Sequence, residues 1–276
     1  MSDLYTKVNQ SVKLLKTVAK TIDGPIELCY SGGKDSDVIL RLAQMAGINY
    51  RAIYKNTTID PPGTIKHCRY NGVEIIQPKR TFFQIIEKSG FPNRFHRFCC
   101  SELKEYKIMN SAIQGIRRSE SSKRATRYNE PVICRMYNKK DHVNTIFPIL
   151  EWSDHDVKLF INSEGIKCHS LYYIDGVFNV NKRLGCLGCP LSTKAKRIEV
   201  FKQYPRMVKA WIRHGAVWFE RCKERGNITA SRFSDVYQLF LFTLLYDRID
   251  DMNINRNLFG KESAKELLEN YFKIDL

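Results

Sequence analysis

The sequence predicts an α/β protein, with a mostly parallel, twisted sheet covered by helices on both faces and a C-terminal helical appendage. Three observations predict it. Short apolar runs alternate with helix-period segments from Ile26 to Lys88, and such alternation implies right-handed crossovers between parallel strands. The turn Ser31-Gly32-Gly33 directly follows the first apolar run, where sheets of this kind place their ligand loops. From about Ser192 onward strand patterns stop and aromatic-rich helical spacing takes over.

Leu4, Val8, Val12, Leu15 and Val18 recur at near-helical spacing and predict an amphipathic helix, which Asp23-Gly24-Pro25 ends. Ile26 to Tyr30 is a short apolar run bounded by turn residues and reads as a buried strand. Val38, Leu40, Leu42 and Met45 predict a helix from Asp37 to Ala46, and Tyr50 to Tyr54 a second strand. A loop over 57–64, a helical stretch over 65–70, a strand over 73–76 and a helix over 82–88 follow. In the tail, Val200 to Gly226 and Phe233 to Asp247 read as helices, and no repeat is evident.

With 43% hydrophobic and 12% aromatic residues in 276, the chain can bury a core and is not a disordered composition. Its longest apolar stretch, Val236 to Tyr246, is too short to span a bilayer, and Met1-Ser2-Asp3-Leu4 lacks the order of a signal peptide. A cytoplasmic location with no membrane partner is therefore expected. An odd count of nine cysteines in a reducing compartment argues against a disulfide framework and for metal ligation by some of them. The net charge of +16 suits a polyanionic ligand such as a nucleotide, tRNA or DNA. The excess is spread over Arg117-Arg118, Lys123-Arg124, Lys139-Lys140, Lys182-Arg183 and Lys194 to Arg197, a distribution that also fits a solvated basic surface. No signature of a nucleic-acid-binding fold accompanies it.

The loop Ser31-Gly32-Gly33-Lys34-Asp35-Ser36 has the parts of a phosphate site. Glycines allow a tight turn and close backbone approach, the N-terminus of the following helix favours anions, and Lys34 adds a cation. Asp35 is placed to hold Mg²⁺ against phosphates, and the serine hydroxyls can donate hydrogen bonds. The plainer alternative is a strand-to-helix turn with Ser36 as N-cap. The spacing is not that of a Walker loop. It resembles the pyrophosphate loop of the N-type ATP pyrophosphatases, which implies ATP binding and cleavage between the α and β phosphates.

Cys99-Cys100 and Cys186-Leu187-Gly188-Cys189 form a second constellation. Two thiol pairs brought together by folding would complete four ligands for an iron–sulfur cluster or a structural zinc; redox exchange at the Cys-x-x-Cys, or inert free thiols, are the alternatives. A tandem Cys-Cys, a long interval and a Cys-x-x-Cys followed by Pro190 resembles the [4Fe-4S] pattern of assimilatory adenylyl-sulfate reductases. Gly115-Ile116-Arg117-Arg118 with Glu120, Ser121 and Arg124 resembles the element that meets the nucleotide's anionic groups in that family. Pro148 to Ser153 with Asp156-Val157, and Ser170-Leu171-Tyr172 leading to Gly185-Cys186, are similar to two further family segments.

The chain thus resembles the phosphoadenosine-phosphosulfate (PAPS) reductase family from about Ile26 to Ser192. The resemblance implies an adenine-nucleotide-binding domain over residues 1–191, including the helix of 1–22; it does not cover the tail, where residues 192–276 read as a separate helical region from their own pattern. It implies ATP and Mg²⁺ at Ser31 to Ser36, with Lys34 and Asp35 catalytic and Arg117 and Arg118 holding anionic groups. It further implies a [4Fe-4S] cluster on Cys99, Cys100, Cys186 and Cys189, with zinc as the fallback.

The sequence also departs from the reductases. They carry a nucleophilic cysteine in a C-terminal Glu-Cys-Gly-x-His setting, whereas the last cysteine here, Cys222, lies in Glu220-Arg221-Cys222-Lys223-Glu224. Reductases need not cleave ATP, yet Ser31 to Ser36 keeps the pyrophosphatase pattern. The expectation is therefore an ATP-cleaving, adenylating enzyme of iron–sulfur-assisted sulfur transfer, with a sulfur-donor protein as a candidate partner and tRNA, DNA or a small molecule as candidate acceptors. A PAPS or adenylyl-sulfate reductase and a non-catalytic nucleotide-binding regulator are the alternatives.

Overall fold

The computed structural model describes residues 2–137, 141–245 and 263–276. By contact the chain divides into two units: residues 1–56, 61–77 and 105–185 form the first, and 57–60, 78–104 and 186–276 the second. The sequence places the boundary at 191/192, whereas contact places it at 185/186 and adds two earlier segments to the helical unit.

The first unit opens with α1 (Ser2–Ala19), then β1 (Ile26–Tyr30), α2 (Lys34–Ala46), β2 (Tyr50–Lys55), α3 (Thr64–Tyr70) and β3 (Glu74–Ile76). It resumes with β4 (Ser111–Ile113), α6 (Ser122–Arg127), β5 (Val132–Tyr137), β6 (Asp141–Ile146), α7 (Asp154–Ser163) and the small hairpin β7 (Tyr173–Ile174) and β8 (Val177–Phe178). The six-stranded sheet has the order β3-β2-β1-β4-β6-β5. Its strands are parallel except β5, which runs antiparallel to β6 at the edge.

β1 lies at the centre of the sheet with one face apolar, while on the other the buried Glu27 carboxylate lies 2.9 Å from the Lys55 ammonium. Ile26 and Leu28 are buried, and β1 pairs with β2 from Ile26–Tyr50 to Tyr30–Tyr54. Strand order reverses at β1: β2 and β3 lie to one side and β4 to the other. The carboxyl end of such a strand opens onto the crevice where doubly wound sheets bind ligands. α2 buries Val38, Ile39, Leu42 and Ala43 completely, each large side chain contributing about 1.5–3 kcal/mol. Val8 and Leu15 of α1 enter the same core, with Leu4, Val12 and Val18 packed at its border. α1 is fixed further by Lys7, whose ammonium lies 2.9 Å from Asp156 of α7.

The second unit is helical. It contains α4 (Phe82–Ser89) and α5 (Phe98–Leu103), then α8 (Lys194–Gln203), α9 (Pro205–Glu224), α10 (Ile228–Ser231), α11 (Val236–Phe240) with a π-turn over Leu241–Leu245, and α12 (Ala264–Phe272). The single helix expected from Val200 to Gly226 is two, because Pro205 has no N–H to continue the ladder and starts α9 instead. Lys139-Lys140 and the end of the helix expected to reach Asp247 lie outside the described residues. Trp211, Phe201, Phe219 and Phe240 fill the core of this unit, completely buried. Gly215 is required there: a Cβ at that position would stand 2.1 Å from the Phe91 ring.

Candidate functional site

The loop Ser31 to Ser36 leaves β1 after Tyr30. Gly32 adopts φ +77°, and a Cβ there would press on Thr64 at 3.0 Å and Leu184 at 3.3 Å, so both conformation and space call for glycine. Gly33, extended at φ −86° and ψ 159°, is the N-cap of α2, so the helix starts at Lys34, three residues ahead of the expected Asp37. The loop is held by its own polar groups. Ser36 donates from N and Oγ to the Gly33 carbonyl at 2.9 and 2.6 Å, and the Gly33 N–H donates to Ser31 Oγ at 3.4 Å. Ser31, Gly32, Gly33, Lys34, Asp35 and Ser36 thus surround one helix N-terminus.

Lys34 is 3% exposed, its ammonium 3.4 Å from Asp35 Oδ2 and 5.8 Å from the Tyr172 ring centre. The other Asp35 oxygen accepts from Arg117 Nε at 2.8 Å. Arg117 is 1% exposed and also donates to Asp154 at 2.7 Å, Ser119 Oγ at 3.0 Å and the Trp152 carbonyl at 3.3 Å. Burial opposes its charge, but Asp35 and Asp154 outweigh that and raise its pKa. Gly115 lets the segment after β4 approach α2, since a Cβ would lie 2.9 Å from the Asp35 carbonyl oxygen. Arg118 points elsewhere: Nη1 meets Glu151 at 3.1 Å, while its buried Nε has no partner among the described residues. The fold therefore brings Arg117 to the loop as the clamp of Asp35 and leaves Arg118 with a donor to offer.

Sequence reasoning missed a buried polar cluster behind the loop. Asp37, 3% exposed, accepts from the Tyr30 hydroxyl and lies 2.9 Å from His67 Nε2. Burial raises the Asp37 pKa while His67 opposes the rise. His67 meets the edge of His169, 5.8 Å between ring centres, and burial followed by His67 lowers the His169 pKa. The residues lie far apart in sequence, so no local spacing announces the cluster; Asp37 alone could have been found, as the next acidic residue after Asp35.

The cysteines belong to the second unit. Cys99 and Cys100 lie in the first turn of α5, and Cys186 and Cys189 bracket a turn closed by the Cys189 N–H on the Cys186 carbonyl at 3.2 Å. Gly188, at φ +78°, abuts Phe201, which a Cβ would meet at 2.6 Å. Among the described residues no group of three or more Cys, His, Asp or Glu stands at metal-holding spacing. The four thiols are nonetheless electrostatic neighbours. A hydrogen bond to Cys100, burial, and the proximity of Cys100, Cys186 and Cys189 push the Cys99 thiol up. Burial pushes Cys186 up to about 12 against the pull of Lys104. Thiols that raise one another's pKa give up their protons together more readily beside a cation. Cys222, in α9, is partly buried against the aromatic core.

The doubly wound sheet carries Ser31 to Ser36 at its reversal point and at the N-terminus of α2, the arrangement of the adenine nucleotide α-hydrolase-like fold. The phosphoadenosine phosphosulfate reductase domain matches residues 25–192, and the chain belongs to that family. An uncharacterised protein of Methanocaldococcus jannaschii is 28% identical over 215 residues, covering 73% of this chain and 50% of that protein. Sulfate adenylyltransferase subunit 2 of a Mycobacterium species is 23% identical over 204 residues, covering 63% of this chain and 65% of its own. The chain spans about half the length of the first curated relatives it matches. Among solved structures, a PAPS reductase from Candida auris in complex with phosphate superimposes with a TM-score of 0.48 at 16% identity, covering 65% of this chain and 89% of that one. Among the described residues no helix is long and apolar enough to cross a membrane.

Proposed function

We propose that this chain binds ATP at Ser31 to Ser36, cleaves it between the α and β phosphates, and adenylates an acceptor oxygen in an iron–sulfur-assisted sulfur transfer. The observation that carries the reading is the complete loop with buried Lys34 and with Asp35 clamped by Arg117. A relative named for adenylyl transfer to sulfate supports the same bond cleavage.

In the proposed step the acceptor oxygen attacks the α-phosphorus, the bond to the bridging α–β oxygen breaks, pyrophosphate leaves and the acceptor proton passes to solvent. Lys34 and the α2 N-terminus face the charge that develops on the departing phosphates. Arg117 fixes Asp35, the carboxylate that would hold Mg²⁺, and Mg²⁺ bound there neutralises phosphate charge. Arg118 Nε is the donor left for an anionic group. Sulfide-level sulfur released by a donor protein would then attack the adenylated centre, its bond to that centre forming as the bond to the oxygen now carried by AMP breaks, and AMP, a far better leaving group than the bare oxygen, departs with that oxygen. Cys99, Cys100, Cys186 and Cys189 would hold the [4Fe-4S] cluster, or zinc in its place, and a cluster supplies thiophilic chemistry for the incoming sulfur.

The reductase reading lacks a thiol in the required setting, since Cys222 packs within α9. A paired assay on cluster-loaded protein tests the proposal: pyrophosphate release from ATP with tRNA and DNA acceptors, beside sulfite release from PAPS with thioredoxin. Pyrophosphate without sulfite is expected. Sulfite production that depends on Cys222 would replace the proposal with the reductase, and silence in both assays would favour the nucleotide-binding regulator.

A further inference from the structure

We propose that the turn spanning residues 93–97 is a recognition tip for single-stranded nucleic acid, with Phe95 stacking on an unpaired base and Arg94 and His96 meeting the flanking phosphates. The base of this loop is anchored. Gly90, at φ +79°, ends α4 flat against Trp218, where a Cβ would stand 2.9 Å from the indole. Phe91 is buried between Trp211 and Phe240, its ring centre 6.0 and 5.7 Å from theirs. Past Pro92 the chain turns outward, and Asn93 braces it: Oδ1 accepts from the N–H groups of Phe95 and His96 at 2.8 and 2.9 Å, and Asn93 N–H donates to the His96 carbonyl at 3.2 Å.

That bracing leaves Phe95 92% exposed, more than any other large apolar side chain described. Single exposed apolar residues are common and need no special cause. This one differs because a fixed turn presents it between Arg94 and His96, both exposed, on a chain of net charge +16. An aromatic face set between the Arg94 guanidinium and the His96 imidazole matches an unpaired base and its phosphates, since every base has a π-face and the backbone supplies the charge. An acidic protein would use Arg94 but give the bare ring no flat partner. Cys99 and Cys100 follow within four and five residues, so a strand held at the tip lies a short chain distance from the thiol pair.

The inference names a class of acceptor for the proposed reaction, and for that consequence it rests on the ATP reading. The tip itself is measured without ATP, so failure of one is distinguishable from failure of the other. Fluorescence anisotropy of short labelled RNA and DNA single strands, and of the matching duplex, compares wild type with Phe95→Ala, Phe95→Trp and Arg94→Gln over a salt series. Wild type should prefer single strands; Phe95→Ala should bind about tenfold more weakly or worse, while Phe95→Trp retains binding and its added indole emission is quenched. Arg94→Gln should lower the salt slope by about one. The RNA and DNA arms show which strand the tip prefers. Wild-type affinity in Phe95→Ala, or no preference for single strands over duplex, would overturn the proposal. Equal binding of polyglutamate, indifferent to Phe95→Ala, would assign the surface to an acidic protein and overturn it too. Circular dichroism verifies the fold of each variant.

Discussion

Replacing Lys34 with alanine separates catalysis from stability at the phosphate loop. Lys34 is 3% exposed, so under the proposed function its ammonium would meet phosphate charge with little water between. A cation and a phosphate about 4 Å apart at an effective dielectric of about 20 attract by about 4 kcal/mol. Loss of a preorganised group facing developing charge costs about 2–4 kcal/mol of transition-state stabilisation. At about 1.36 kcal/mol per decade, pyrophosphate release should fall about 30- to 900-fold. The fold should survive, because Asp35 keeps its 2.8 Å bond to Arg117, so the loss should be about 1–2 kcal/mol. Arg117→Ala is the contrast. It strips the shared cation from Asp35 and Asp154 and leaves the Trp152 carbonyl without that donor, a change of about 3–5 kcal/mol for a buried pair. The side chain of Asp154 is 49% exposed, which places the expectation near 3 kcal/mol. Pyrophosphate release and thermal unfolding of the three proteins provide the check. Wild-type turnover in Lys34→Ala, or equal unfolding temperatures for the two variants, would refute the reasoning.

Two further outcomes are expected. Anaerobically purified protein should be brown, and Cys186→Ser combined with Cys189→Ser should remove its iron and broad visible absorbance; full metal retention by that double variant, or zinc alone in the wild type, would exclude the iron–sulfur assignment. Asp156 is buried, which would raise its pKa, but the Ser153 N–H and hydroxyl and Lys7 prevail and hold it below the usual carboxylate range. Its contribution to stability is therefore present above an unfolded value of about 3.9 and is lost as pH falls through the folded one. Asp156→Asn should cost about 1–2 kcal/mol at pH 7, with the gap to wild type closing toward pH 3, as read by urea unfolding at several pH values; a gap independent of pH would show that the carboxylate charge is not its source.

The sequence by itself determined the β-α-β order and the placement of Ser31 to Ser36 after β1, because each is written in adjacent residues. Period-2 and period-3.6 patterns report which local structure can bury an apolar face, and a glycine pair before Lys-Asp-Ser reports a turn into a helix N-terminus. The aromatic tail was legible as helical, although Pro205 divides the long helix in two by removing one N–H. Only the tertiary structure decided what crosses sequence distance. The Asp37–His67–His169 cluster and the clamp of Arg117 on Asp35 and Asp154 join residues tens of positions apart, and no local pattern encodes such a partner. Arg117 shows the reason most plainly. In sequence it is one of two adjacent arginines, but folding buries one guanidinium, where desolvation requires carboxylate partners, and leaves the other half-exposed on Glu151, its buried Nε without a partner among the described residues.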